Sequence, residues 1–260
     1  MAVAQHLQVS RERAQALILA GEVKLDGAVQ RKAGLAVPAD ACIEVQEQQR
    51  YVSRGGQKLE RALSDFDWSP ADLHCLDVGA STGGFTDCLL QHGAASVTAL
   101  DVGYGQLAWG LRQDSRVRVV ERTNFRHADP HALGAPFAFL TVDVSFISVA
   151  KLSAQLRAAL SVGGRLVALI KPQFEAGRAA VGKGGVVRDH AVQRDAIDAV
   201  LQGFAGEQLQ PEKLTYSPLK GPAGNIEFLL GAQAIVGGSA LARPDFDVAG
   251  VVRKAHESLD

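Results

Sequence analysis

The sequence predicts an α/β protein built on a mostly parallel sheet with helices on both faces, preceded by a small α+β module. Three observations carry this expectation. From Leu76 onward, apolar strand-like runs alternate with helical patterns, which is how βαβ units read. The first of those runs ends in a glycine loop, the place where open parallel sheets bind ligands. A polar stretch from Gln46 to Arg50 parts this region from about 50 preceding residues of different pattern, in the manner of a linker.

Composition narrows the class. With 260 residues, 47% apolar and 21% charged, the chain suits a small module beside a larger globular one. No apolar run approaches the roughly 20 residues that cross a bilayer. The start, Met1 to Ser10, lacks the basic-then-apolar pattern of a signal peptide, so a cytoplasmic location without stable membrane association is expected. Cys42, Cys75 and Cys88 are odd in number and in no C-x-x-C spacing, which points to free thiols rather than disulfides or zinc. His127 and His131 flank Asp129 at a metal-like spacing, but Pro130 breaks the helix that spacing needs, and no metal is expected. The net charge of −1 hides a mild asymmetry: residues 1–61 carry nine Lys/Arg against seven Asp/Glu, and the rest 18 against 21.

In the N-terminal module, Ser10 caps a short helix whose Ala14, Leu17 and Ile18 share a face and whose end is Gly21. Arg11 and Arg13 fall in its first turn, where the helix dipole disfavours cations, so an external anion is the better reason for them. Val23-Lys24-Leu25 and Ala28-Val29-Gln30 then flank Asp26-Gly27, a hairpin signal, and Ile43 and Val45 suggest a third strand. The expected organisation is a module over 1–46, a linker over 47–53 and the larger domain over 54–260.

Seven strands are predicted in that domain: Leu76 to Val78, Val97 to Leu100, Val117 to Val120, Phe137 to Val142, Leu166 to Ile170, Leu214 to Tyr216 and Ile226 to Leu230. The first leads into Asp77-Val78-Gly79-Ala80-Ser81-Thr82-Gly83-Gly84-Phe85, with a helix from about Phe85 to Gln91. Its glycines permit close backbone approach, yet their spacing is neither the dinucleotide fingerprint nor a phosphate-binding lysine loop. Asp77 would repel a pyrophosphate, so a cationic, phosphate-free ligand such as S-adenosyl-L-methionine (SAM) suits the loop better. Asp101, ending strand two, can accept both hydroxyls of an adenosine ribose. Asn124, after strand three, reads either as an amide facing adenine or as a turn residue.

Four charged residues stand where stability alone would not put them. Asp143 and Lys171 close predicted strands on the ligand-binding rim, Glu227 sits among apolar neighbours where it needs a partner that a lysine could supply, and Lys58 completes the set. Each alone also reads as an ordinary strand-end charge. Together they suit methyl transfer to a ribose 2′-hydroxyl, a poor nucleophile that must be oriented and must lose its proton. Lys58 would lower the proton affinity of Lys171, while Asp143 and Glu227 would favour its charged form and fix its position. Methylation of a base carbon would want a nucleophilic cysteine, and Asp143-Val144-Ser145-Phe146 is not the Asn/Asp-Pro-Pro-aromatic turn of amino methylation. The basic, glycine-rich loop Gly177 to Gly185, with Arg178 and Lys183, reads as an RNA phosphate contact or as a flexible connection.

On these residues the chain resembles the TlyA, or haemolysin A-like, family, which joins an S4 RNA-binding domain to a methyltransferase of the FtsJ/RrmJ type. The resemblance runs from about residue 5 to 233, through Ser10 to Gly27, Tyr51 to Leu59, Asp77 to Asp87, Asp101 to Leu107, Glu121 to Arg126, Asp143 to Ser148, Lys171 to Glu175 and Gly221 to Glu227. It implies a Rossmann-like, seven-stranded SAM methyltransferase domain behind an S4-like domain, and 2′-O-methylation of cytidine in ribosomal RNA of the small or large subunit. It further implies that Lys58, Asp143, Lys171 and Glu227 form a catalytic tetrad. Cofactor contacts are expected from Asp77, Gly79, Ala80, Ser81, Thr82, Gly83, Gly84, Phe85, Asp101, Val102, Asn124 and Asp143. RNA contacts are expected from Arg11, Arg13, Lys24, Arg54, Arg178 and Lys183, with ribosomal RNA or subunits as partners and a monomer favoured. Two departures stand out: Gln57 replaces an apolar residue, and the first module lacks the leading Arg-Leu-Asp segment. The rival readings are a membrane-active haemolysin and an RNA-binding protein with a non-catalytic methyltransferase fold.

Overall fold

Residues 1–50 and 51–260 form two compact units. The computed structural model describes residues 2–38, 40–45, 50–177, 181–182, 184–236 and 244–260. Arg178, Lys183 and residues 47–49 of the expected linker lie outside the described residues. Of that linker, Tyr51 to Ser53 belong to the larger unit: Tyr51 is buried, and the Val52 N–H donates to Asp87 Oδ2 at 2.8 Å.

In the smaller unit, α1 (Ala2–Leu7) and α2 (Arg11–Ala20) share a core with a three-stranded antiparallel sheet in the order β2-β1-β3. Its strands are β1 (Val23–Leu25), β2 (Ala28–Gln30) and β3 (Ile43–Val45). Ser10 caps α2 by accepting from the Arg13 N–H at 3.2 Å, and Gly21 ends the helix at φ 79°. Asp26 and Gly27 both take positive φ, the geometry a two-residue hairpin turn demands. Val3, Ala14, Leu17, Ile18 and Val23 make the core.

The larger unit runs α3 (Gly55–Phe66), β4 (His74–Val78), α4 (Gly84–Gln91), β5 (Ser96–Leu100), α5 (Trp109–Gln113), β6 (Val117–Val120), α6 (Pro130–Leu133), β7 (Phe137–Val142), α7 (Ser153–Ala159), β8 (Leu160–Ile170), α8 (Pro172–Glu175), α9 (His190–Gly206), β9 (Leu209–Tyr216), β10 (Phe228–Ala234) and α10 (Val248–Leu259). Seven strands pair in the order β6-β5-β4-β7-β8-β10-β9, and β10 alone runs antiparallel to its neighbours. This is the mostly parallel, Rossmann-like sheet the sequence predicts.

Both faces of the sheet are covered, and the strand sequences show why. Along β8, Leu166, Ala168 and Ile170 join one core with Leu156, Ile197 and Phe204, while Val167 and Leu169 join the other with Leu59, Phe66 and Leu89. Side chains two apart share a face, so a continuous apolar run serves two layers at once. The strand order reverses between β4 and β7, and ligands of open α/β sheets bind at such a switch point. No helix among the described residues is long and apolar enough to cross a membrane.

Candidate active site

The glycine loop leaves β4 at this switch point and is tied to its neighbours by backbone bonds. Gly79 and Ala80 donate to the Leu100 carbonyl at 2.8 and 3.0 Å, and Asp143 N–H donates to the Val78 carbonyl at 2.9 Å. At Gly79, φ is 86°, and a Cβ there would overlap the Asp143 carbonyl oxygen, so only glycine lets the two rims close up. Gly83, at φ 101°, starts α4, and Gly84 packs against Ser53 and the backbone of Gly55 and Gly56. Thr82 stays exposed, whereas Phe85 is buried under the loop.

Asp101 holds the far side of the loop. Its two carboxylate oxygens accept from the Ser81 N–H at 2.8 Å and the Gly103 N–H at 2.6 Å. Each oxygen keeps a lone pair for a ligand hydroxyl. Val102 is exposed beside it, and Asn124 lines the same cleft while its Oδ1 caps the short turn Phe125–His127 by accepting from Arg126 N–H at 3.1 Å. The turn reading of Asn124 is therefore realised, on a residue whose position also permits the other.

Asp77 requires a correction. It was expected to face a cationic ligand, but its carboxylate lines neither part of the cleft and is wholly buried. It accepts from Thr86 Oγ1 at 2.7 Å and Thr141 Oγ1 at 2.9 Å, tying β4 to α4 and β7. Burial is the larger influence and pushes its pKa up to about 6, against the pull of the two threonine hydroxyls. Its role is to brace the loop from beneath.

The four charged residues singled out in the sequence meet on one cleft of about 450 Å³, beside the glycine loop. They meet as two pairs. Lys58 on α3 donates to Glu227 Oε2 at 2.5 Å, with the Glu227 side chain only 1% exposed. Lys171 Nζ lies 2.5 Å from Asp143 Oδ1 and donates to Ser145 Oγ at 3.1 Å. The sheet dictates these meetings: Phe228 pairs with Ile170, so Glu227 and Lys171 lie at one level of the rim. Glu227 precedes β10 rather than sitting within a strand, and Gly221 leaves the space its Oε1 occupies. Burial raises the Glu227 pKa, opposed first by Lys58 and then by Lys171.

A second hollow of about 310 Å³, lined by Asp101, Asn124 and Phe125, adjoins the first and shares Gly79, Ser81, Asp143, Ser145 and Phe146 with it. Of the expected RNA contacts, Arg54 is exposed on the cleft rim. Arg11, Arg13 and Lys24 lie in the smaller unit, the two arginines exposed on the first turn of α2 and Lys24 half-buried on β1. Sequence reasoning passed over Ser145, Phe146 and Lys220, all on the cleft; an aromatic 91% exposed, as Phe146 is, gives no signal until the fold places it.

The model of the FtsJ-like methyltransferase family matches residues 51–234. The chain belongs to that family. Among relatives of this FtsJ-like methyltransferase, the 16S/23S rRNA (cytidine-2′-O)-methyltransferase TlyA of Mycobacterium tuberculosis is 44% identical over 88% of this chain and 86% of its own. YqxC of Bacillus subtilis, named as a candidate rRNA methyltransferase, is 46% identical over 99% of this chain and 92% of its own. A solved structure from Streptococcus thermophilus, named as a candidate hemolysin, superimposes with a TM-score of 0.78 at 40% identity, covering 96% of this chain and 91% of that one.

Proposed function

We propose that this methyltransferase uses SAM to methylate the ribose 2′-hydroxyl of cytidine in ribosomal RNA of the small subunit, the large subunit or both. The observation that carries the reading is the cleft: two lysine–carboxylate pairs beside a glycine loop at the switch point of a methyltransferase fold. The relative named for cytidine 2′-O-methylation of 16S and 23S rRNA supports the substrate class.

The donor set fits SAM. The Ser81 N–H, which a loop-bound phosphate would need, is already taken by Asp101, and the hollow around it carries the carboxylates of Asp101 and Asp143. Such a site suits a ligand with hydroxyls and positive charge. Gly79, Ala80, Ser81, Thr82, Gly83, Gly84 and Phe85 would shape its seat, Asp101 would take the ribose hydroxyls, and Val102 and Asn124 would flank the adenine. Bound there, SAM supplies an electrophilic methyl group.

The protein side chains do the rest. Lys171 orients the acceptor 2′-hydroxyl and, in its neutral form, takes up its proton, while Asp143 fixes the amine in place. Lys58 and Glu227 hold the inner wall of the same cleft. A positioned base contributes about 10²- to 10⁴-fold. Arg54 on the rim, Arg11, Arg13 and Lys24 in the S4-like unit, and Arg178 and Lys183 would contact RNA phosphates.

The test is incubation of the protein and SAM with purified ribosomal subunits and with naked rRNA, followed by nucleoside mass spectrometry. The reading expects 2′-O-methylcytidine in at least one substrate. A methyl group on a base, or none in any substrate, would contradict it.

A further inference from the structure

The loop that follows β7 and the short helix α8 that follows β8 carry the open end of the cleft, and they are joined residue by residue. Lys171 reaches Asp143 and Ser145; three residues on, the Phe174 ring lies 5.2 Å from the Phe146 ring. One residue later, Glu175 accepts from Ser148 Oγ at 2.6 Å through Oε2 and from the Val149 N–H at 2.8 Å through Oε1. Glu175 itself lines neither part of the cleft. Both of its oxygens are spent across the gap, on the loop that follows β7.

That loop needs holding. Phe146 sits at φ 66°, a left-handed conformation that is unfavourable for a residue with a Cβ. The strained residue lies between Ser145, which touches Lys171, and the segment Ser148–Val149, which Glu175 grips. Burial pushes the Glu175 carboxyl up, so the group sits there against its own solvation preference, with the two bonds from the loop opposing.

We propose that Glu175 is a positioning residue of the active site: it clamps residues 145–149 against residues 171–175 and so sets where Ser145 and Lys171 meet. It takes no part in the chemistry. This inference rests on the reading of the cleft as the site of 2′-O-methyl transfer.

In the full chain, Glu175→Ala should lower kcat about 10- to 100-fold at saturating SAM and RNA, because loss of an angstrom of placement costs that much. The KM for SAM should change less than kcat, since most of the donor's seat lies on the segments that follow β4, β5 and β6, which Glu175 does not touch. Glu175→Gln keeps an acceptor for the Val149 N–H and can donate to Ser148 Oγ, so it should recover most of the loss. A second readout needs no reaction: the nuclear Overhauser contact between the Phe146 and Phe174 rings should vanish in Glu175→Ala and persist in Glu175→Gln. Should Glu175→Ala fail to fold, Ser148→Ala removes one of the two bonds and should weaken the ring contact. Wild-type kcat and an intact ring contact in a folded Glu175→Ala, a loss that Glu175→Gln does not recover, or an unchanged ring contact in Ser148→Ala would each overturn the proposal. The ring contact stands whether or not a ribose is methylated, so failure of the clamp and failure of the functional reading are told apart.

Discussion

The two ends of the cleft carry the same chemical pair in different settings. At the inner end, Lys58 and Glu227 come from elements far apart in the chain, and their side chains are 10% and 1% exposed. At the outer end, Lys171 and Asp143 close adjacent strands, their side chains are 12% and 22% exposed, and Ser145 shares the lysine, so the two ends differ in the carboxylate. A carboxylate only 1% exposed cannot change partners without a large desolvation cost, so it fixes the shape of the cleft wall. A pair open to the cleft can trade a hydrogen bond for one to a substrate. The difference separates a wall from a working group.

Breaking each end should therefore fail in a different way. Lys171→Ala should lower kcat about 10²- to 10⁴-fold while the protein keeps its melting temperature and its affinity for SAM, measured by single-turnover transfer and by titration calorimetry. Equal losses in transfer and donor affinity would erase the distinction. At the inner end, Glu227→Ala leaves Lys58 buried without its partner and should cost about 3–5 kcal/mol in denaturant unfolding. Replacing both, with Lys58→Met and Glu227→Leu, should restore stability without restoring transfer.

The brace beneath the loop gives a pH test. The folded pKa of Asp77, about 6, lies above its ordinary 3.8, so the folded state holds the proton more tightly than the unfolded chain. Its contribution to stability is fully present below about pH 4 and is lost as pH rises through about 6. Asp77→Asn should flatten the stability profile across that window, and an unchanged profile would mean that Asp77 is ionised at no cost. The smallest expected effect is at Asn124. Asn124→Asp keeps the acceptor that caps the turn but removes the amide donor, so a fall in SAM affinity of about three- to tenfold would assign adenine contact. No fall would leave the residue as a cap alone.

Much of this was legible in the sequence because period and chemistry agreed. The central strands of the larger unit announce themselves as apolar runs buried on both faces, and in the smaller unit Ser10 and Gly21 mark the ends of α2 and Asp26-Gly27 the hairpin through backbone demands that few other residues meet. The four charged residues stood out by their cost in apolar surroundings. What stayed hidden depends on pairings between distant segments. Sequence could not say that Lys58 meets Glu227 while Lys171 meets Asp143, since that follows from which strands are neighbours. The direction of Asp77 stays hidden because a strand-end carboxylate signals nothing about which way it faces; Thr86 and Thr141 decide that. The helix Ala2–Leu7 escaped because six residues show under two turns of pattern, and β8 begins earlier than predicted because Ser161 to Arg165 is not apolar.

The most direct test is a crystal structure with S-adenosylhomocysteine bound. The account predicts the adenosine near Asp101 and Asn124 and the sulfur above Gly79 and Asp143, directed toward the amine of Lys171. A ligand seated elsewhere, or a sulfur turned away from Lys171 with no space for a sugar between them, would contradict it.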